Sequence, residues 1–538
     1  MNIKKLTGAV AFILALMLAA SCARPSSAPG TAASGGSFFN ETGYPIVNEP
    51  YSMTIMIARN TTIHPEDMST IRCFADYAEK SGVRVDFDET ASTDVTQRIN
   101  ILLAAGDYPD AFIKCNMAAD IILRYGSEGS FVNVAPLLDK YAPNFISAIS
   151  VLPTVKPAIT QSNGAIYGFP YVCGIMDVRA MKMFINRVFM DNLGIADMPG
   201  TTAEFKELML EFLNKDANGD GDVNDEVPLS GFSSYSSLIY TFSGAFDVYN
   251  RGVTSNRFQM GADGKLEFIP ITDGYKNLLI YLNDLTVAGV IDPGILTNSL
   301  GDMAAIAQAG KLGAHATYVN QAGPHTNDYE AMPALAGPDG HKSWNYINSS
   351  LYGTSAFVIT DKCEYPEVAV RWVDYWYSDE GNREYTLGYE GVTYDVNPDA
   401  TSPAEMYVLT DYVSNNPDGL TSAQAQAFYI ASAGGGNPVI LDERYFKAGE
   451  MHAVSRAGTV VLRPFLLAEI WEPFTYTDQE QKDRQYLSDI YSYVDEQGAA
   501  FIMGNAGFDA WDNFISVLNT MGLDQLTALE QGAYDRAK

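Results

Sequence analysis

Residues 52–58, SMTIMIA, alternate polar and apolar in the way of a half-buried strand, and VRVDFD (Val83 to Asp88) does so again after STIRCFADYAEKSG, whose spacing is helical. Together they predict a β-α-β unit. In DVTQRINILLAAGDYPDAFI the residues Ile99, Leu102 and Leu103 fall on one helical face, Gly106 stops the helix, and a short strand follows at Ala111 to Ile113. Strands alternating with helices at this spacing predict an α/β lobe with a largely parallel sheet. A second lobe is expected to open near MKMFINRVFMDNLG, with a strand at Met183 to Ile185. In PGTTAEFKELMLEFLNK, Thr201 and Glu204 form a capping box, and Phe205, Leu208 and Phe212 recur at helical spacing. The C-terminal stretch is again helical, with Trp511, Phe514, Ile515 and Leu518 on one side. Trp372 and Trp376, at i and i+4, read as core, as does His315 in KLGAHATYV. There is no internal repeat and no second apolar span.

At 538 residues the chain has room for roughly two to four domains or lobes. Its composition, 47% hydrophobic and 12% aromatic, is that of a globular chain and not of a disordered one. The net charge of −31 repels phosphate backbones and anionic headgroups, which excludes nucleic acid and electrostatic membrane docking as first readings and leaves a neutral or cationic small ligand. The N-terminus, MNIKKLTGAVAFILALMLAASC, has a basic start at Lys4 and Lys5, then a short apolar run from Ala9 to Ala20, too short for a comfortable membrane span: the layout of an export signal. Leu-Ala-Ala-Ser-Cys resembles the lipobox of bacterial lipoproteins, although Leu18 stands four residues before Cys22 where three is usual. The resemblance implies cleavage before Cys22 and diacylation of its sulfur. ARPSSAPGTAASGGS then reads as a flexible tether, so the expected place is the extracytoplasmic face of the cell membrane, held by lipid alone. Cys73, Cys115, Cys173 and Cys363 are far apart, with no metal-ligand spacing, and read as buried thiols.

SGVRVDFDE, LLAAGDYPDAFI, YGSEGSFVNVAPLLDKYAPN, AIYGFPY, FINRVFMDNLGI, LNDLTVAGVIDPGILT, RWVDYWYSDEGNREYTLGYEGVTYDV and WDNFISVLNTMGLDQLTALEQGAYDRAK follow one another in this order. The series resembles the extracellular solute-binding proteins (family 1) of carbohydrate ABC transporters, in particular the long lipoprotein branch related to the alginate-oligosaccharide binders. It spans nearly the whole mature chain. The resemblance implies a two-lobed α/β clamp of the periplasmic-binding-protein type II kind, a ligand in the interlobe cleft, and a membrane permease as partner. The expected division is a signal peptide at 1–21, lipidated Cys22 and tether at 22–44, first lobe at 45–175, second lobe at 176–350, return to the first lobe at 351–400, and the rest of the second lobe with the C-terminal helices at 401–538. A monomer is expected.

DANGDGDVNDEVP (216–228) matches Ca²⁺ chemistry, which calls for many oxygens at alternate positions and a glycine at the sharp turn. Asp216, Asn218 and Asp220 supply the first side-chain positions, Gly221 the turn, and Asp222 the position that donates a backbone carbonyl. The twelfth position, where an EF-hand places glutamate, is Val227. The family resemblance implies a shortened loop ending Asp-Glu-Ile-Pro, similar to Asp225-Glu226-Val227-Pro228 here, and leaves open whether Asp225 or Glu226 closes the shell. Asn224 contributes directly or through a water. A solvated acidic turn is the alternative, against which stands the mutual repulsion of so many carboxylates. Since no nucleophile accompanies the loop, the expected role of Ca²⁺ is structural.

No zinc-protease, serine-hydrolase or phosphate-loop pattern is present, His64, His315, His325, His341 and His452 lack metal spacing, and no two carboxylates stand out as a glycosidase pair. The chain is therefore read as no enzyme. A sugar cleft needs aromatic faces and planar polar side chains on loops that follow strands. That selects Arg59 and Asn60 after the first strand and Asn116 after Ala111 to Ile113 as ligand-contact candidates, and Tyr171, Trp344 and Tyr389 with Glu390 are further ones by their chemistry. The reading is a lipid-held receptor that captures an oligosaccharide or similar polar solute and delivers it to an ABC permease. Its rivals are a secreted glycan-degrading enzyme and a peptide-binding or adhesin-type surface lipoprotein.

Overall fold

The computed structural model describes residues 38–232, 235–252, 257–317, 320, 322–445 and 453–538. The expected signal segment, Cys22 and the tether as far as residue 37 lie outside the described residues. The folded body begins earlier than the expected boundary at 45: the Phe38 ring lies 4.7 Å from that of Tyr365, and Phe39 packs on Tyr141 at 5.5 Å. Two aromatic rings against an apolar surface outweigh the freedom of a seven-residue tail.

Two sheets organise the chain. In the first, edge to edge, stand Ile440–Leu441, Phe169–Cys173, Leu351–Ile359, Ala111–Ile113, Tyr51–Arg59 and Val83–Ala91. Tyr51–Arg59 pairs in parallel with Val83–Ala91 and Ala111–Ile113. Leu351–Ile359 runs antiparallel to both its neighbours, so Phe169–Cys173 and Ile440–Leu441 point the same way as the first three strands. The expected largely parallel sheet thus carries one reversed strand. The second sheet, Tyr329–Ala331, Lys182–Asn186, Leu312–Thr317 and Val227–Leu229, is mixed.

The local sequence accounts for the elements. Val95–Ala105 buries Ile99, Leu102 and Leu103 and stops at Gly106, whose φ of 69° puts it in the left-handed region that only glycine adopts freely. Thr201 and Glu204 cap helix Thr202–Asn214 reciprocally, and Phe205, Leu208 and Phe212 face inward.

Buried side chains form two large cores, one on each sheet. In the first, Tyr77 stacks on Tyr375 with ring centres 4.2 Å apart, and Trp372 meets Trp376 edge-on at 5.8 Å; such ring pairs are worth about 0.5–1.5 kcal/mol each beyond their burial. Trp511 lies in the second core with Phe514 and Leu518. His315 is buried between Phe184 and Tyr329, and the four body cysteines are free and buried. Residues 401–445 depart from the expected division. Ala431, Val439 and Ile440 pack in the first core, and Ile440–Leu441 completes the first sheet, so the chain stays with the first sheet through 445. An apolar pair too short to show a period hid this strand in the sequence. The C-terminal helices from Ala453 to Ala537 pack on the second core.

Candidate functional site

The described chain crosses between the two cores at 174–181 and at 347–350, both at the same edge of the first sheet, and it belongs to the first core up to Tyr445 and to the second from Ala453. Phe169–Cys173 leaves by its C-terminal end towards Lys182, Leu351 returns antiparallel beside it, and Ile440–Leu441, parallel to Phe169–Cys173, leaves again. The C-terminal ends of Tyr51–Arg59 and Ala111–Ile113 lie along that edge, which therefore faces the second core. Loops at the carboxyl ends of strands, facing a second lobe, are where α/β folds bind ligands.

Near the first crossing, planar and polar groups converge. Tyr171 meets Tyr352 edge-on, ring centres 5.6 Å apart. Arg179 reaches back over Tyr352, its guanidinium carbon 5.7 Å from the ring centre and its Nε 3.4 Å from the phenol oxygen. Burial holds the Tyr352 hydroxyl protonated far above the usual range, so it acts as a neutral hydrogen-bonding group. Exposed Asn116, at φ 41°, leans its Oδ1 over Gly353, leaving no room there for a Cβ. Among the sequence candidates, Asn116 and Tyr171 come together here; Tyr352 and Arg179 join them unforeseen.

The other candidates have different places. Arg59 is the last residue of its strand, its Nε 3.2 Å from Glu89, and Asn60 turns its Oδ1 inward to accept from the Thr62 amide and hydroxyl. Trp344 is a correction: it is 1% exposed in the second core, and its Nε1 donates to the Met181 carbonyl at 2.8 Å. An indole that size gains more from burial than it can by waiting at a rim. One face of Tyr389 is covered by the Arg72 guanidinium at 3.9 Å, and Glu390 is exposed beside it.

Two lysines mark the facing edges. Lys114, 5% exposed, gives its three N–H groups to the carbonyls of Ala431 and Ala433 and to Asn437 Oδ1, at 2.6, 2.8 and 2.6 Å. Lys182, at the start of the second sheet, donates to Val178 and Ala180, inside the first crossing. Burial lowers both ammonium groups to about 7. His64 is also buried by the Lys114 edge, and burial, reinforced by the charges of Lys114 and Arg59, lowers it to about 3. None of these three was singled out as a site residue, because charged residue types read as surface in a single sequence.

Contacts tie the lobes beside this edge. Arg463, after the helix Ala453–Leu462, grips Asp177 of the crossing with two N–H groups at 2.9 and 2.6 Å. Glu472 accepts from the Leu351 amide at 3.0 Å and from the Ser350 hydroxyl. A groove of about 980 Å³ runs between residues 153–162 of the first lobe and 469–475 with 534–538 of the second.

The acidic loop stands elsewhere, at the N-terminal end of Val227–Leu229 and away from the crossings. Gly219 and Gly221 have φ of 79° and 97°, which lets Asp216 accept from both their amides, while Asn218, Asp220 and Asp222 each accept from the amide two residues on. Asp225 pairs with Lys311 at 2.8 Å. Glu226, 7% exposed, folds back to accept from the Ala217 and Asn218 amides with Oε1, while its Oε2 has no hydrogen-bond partner. An orphaned buried carboxylate oxygen fits a cation, and it makes Glu226, not Asp225, the group suited to close a shell. Among the described residues, no three acidic, histidine or cysteine groups converge as they stand on a metal-sized site, so a cation would have to draw the loop in.

The model of the bacterial extracellular solute-binding protein family matches residues 63–383. A curated relative, the fructooligosaccharide ABC transporter substrate-binding protein FusA of Streptococcus pneumoniae, is 25% identical over 508 residues, covering 91% of each chain. Among solved structures, an HMO-binding, ABC-transporter-associated solute-binding protein from Bifidobacterium longum infantis aligns with a TM-score of 0.76 at 18% identity, covering 91% of this chain and 99% of that one. The alginate-binding protein AlgQ2, solved without calcium ion, aligns at 0.70 and 19% identity, covering 92% and 100%. The fold is thus the two-lobed α/β fold of solute-binding proteins, a class that binds and does not catalyse. On the match over residues 63–383, this chain belongs to the bacterial extracellular solute-binding protein family.

Proposed function

We propose that this protein is the oligosaccharide-binding component of an ABC importer, capturing its cargo between the lobes and presenting it to a membrane permease. The observation that carries the reading is the cluster of Tyr171, Tyr352, Arg179 and Asn116 at the interlobe edge, inside a chain of this family. Aromatic rings suit the apolar faces of sugars, and the guanidinium and amide suit their hydroxyls. The relatives named as fructooligosaccharide, HMO and alginate binders support an oligosaccharide in place of a single sugar. Hinge motion at the three crossings, with contacts made only when shut, would supply the closed form.

Two finer parts belong to the same proposal. Cys22 would carry the lipid that holds the protein outside the membrane. The acidic loop would hold Ca²⁺ through Asp216, Asn218, Asp220, the Asp222 carbonyl and Glu226, with Asn224 beside them, and the ion would neutralise these oxygens and clip helix Thr202–Asn214 to strand Val227–Leu229.

The test is thermal melting of the mature protein with kestose, nystose, alginate oligomers and milk oligosaccharides, because a ligand of the native state alone raises the apparent stability. A saturable rise with at least one of them, and no product after prolonged incubation, is expected. No shift with any, or the steady appearance of shortened sugars, would overturn the reading.

A further inference from the structure

The loop Ser432–Asn437, SAGGGN, lies across the cleft-facing ends of two strands. A Cβ on Gly434 would stand 3.3 Å from Asn60 Cβ, after Tyr51–Arg59, and one on Gly436 would stand 2.7 Å from the Lys114 carbonyl, after Ala111–Ile113. Gly434, Gly435 and Gly436 have φ of 86°, 77° and 68°, a run that side-chain-bearing residues do not hold. Around Gly435 nothing lies within 4 Å of a Cβ position, so its outer side is open. Among the described residues, no acceptor takes the N–H of Gly434, Gly435 or Gly436. A run of main-chain donors without acceptors among the described residues needs an external reason to keep one shape, and Lys114 supplies it: its ammonium bonds Ala431 and Ala433 before the turn and Asn437 after it. The Asn437 amide closes the turn from inside, donating to the Ser432 carbonyl at 2.8 Å. Among the described residues no carboxylate pairs with Lys114, so the cost of burying its charge is offset only by these bonds.

We propose that the Gly434–Gly436 turn is a main-chain hydrogen-bonding subsite of the interlobe cleft, directed at ligand hydroxyl oxygens, and that Lys114 is its positioning residue. The proposal rests on the oligosaccharide reading above and adds to it a wall without side chains. Such a wall lets a sugar chain approach the backbone closely, and it discriminates by shape.

Two measurements on the mature protein test it. In Lys114→Met, thermolysin is expected to cut within residues 431–437 at least tenfold faster than in the parent, with other sites unchanged; unchanged cutting there, or faster cutting everywhere, would overturn the positioning role. In Gly435→Ala, kestose affinity measured by calorimetry is expected to fall at least tenfold. Gly340→Ala, at φ 83° in an equally open turn of the second lobe, carries the same backbone strain and is expected to leave the affinity unchanged. Equal affinities of Gly435→Ala and Gly340→Ala would overturn the subsite. If kestose does not bind the parent, the same two variants are titrated with whichever oligosaccharide gave the largest melting shift, and equal affinities there overturn the subsite in the same way.

Discussion

Arg179 and Tyr352 join the outgoing and returning chains at the interlobe edge, guanidinium over ring and Nε 3.4 Å from the phenol oxygen. The pair ties the first crossing to the second and holds the ring edge-on to Tyr171. Tyr352→Ala is therefore expected to weaken oligosaccharide binding about tenfold or more, which is about 1.4 kcal/mol. Tyr352→Phe keeps the ring and is expected to lose much less. Calorimetric titration of both variants checks the order, and equal losses would count against stacking.

Divalent-ion removal separates the acidic loop from the cleft. EDTA is expected to lower the melting temperature by several degrees, since an ion bound only to the native state stabilises it, while ligand affinity changes little because the loop stands away from the crossings. Glu226→Gln is expected to reproduce most of the loss. Asp225→Asn, which breaks the half-exposed ion pair with Lys311 and keeps an oxygen that can accept from Asn218, is expected to cost about 1 kcal/mol. Scanning calorimetry with and without added Ca²⁺ reads both.

Trp344→Ala removes a core indole and its bond to Met181, at a cost of about 3–5 kcal/mol. Urea unfolding is expected to show that loss, and the affinity of the protein that remains folded is expected to match the parent. A lost affinity with unchanged stability would return Trp344 to the cleft.

The histidines give the acid branch. Burial is the first cause of lowering at both His64 and His315, which fall from the ordinary 6.5 to about 3 and about 4. Between those values and 6.5 the unfolded chain binds protons that the folded one refuses, so stability is whole above pH 6.5 and declines as the pH falls through this window. Urea midpoints from pH 7 to pH 4 are expected to drop accordingly, and His315→Gln is expected to flatten the slope by its share.

Much of the first lobe was legible because Val83–Ala91 alternates covered and exposed positions and Val95–Ala105 has a clear apolar face, so neither needs tertiary context to be recognised. Ile440–Leu441 was not, since two residues carry no period, and its sheet neighbour is more than 260 positions away. Asn116 follows from the rule that strand ends face the ligand, whereas Tyr171 and Trp344 are candidates by their chemistry alone, and of these two the structure buries Trp344 in the second core. Lys114 stood two positions from a chosen residue, directly after the wholly buried AFI strand, and that adjacency was the available signal. What hid it is that a lysine satisfied by carbonyls contributed from residues 431–437 looks like any surface lysine until the chain is folded.

Because the chain passes between its halves at 174–181, at 347–350 and again after Tyr445, neither half is a contiguous stretch of gene. Recombination with one breakpoint cannot exchange a lobe for that of a relative, since it would leave the first sheet without Ile440–Leu441 or the second core without Trp511 and Tyr534. Exchange of a whole lobe in this architecture therefore calls for cuts at all three joints together.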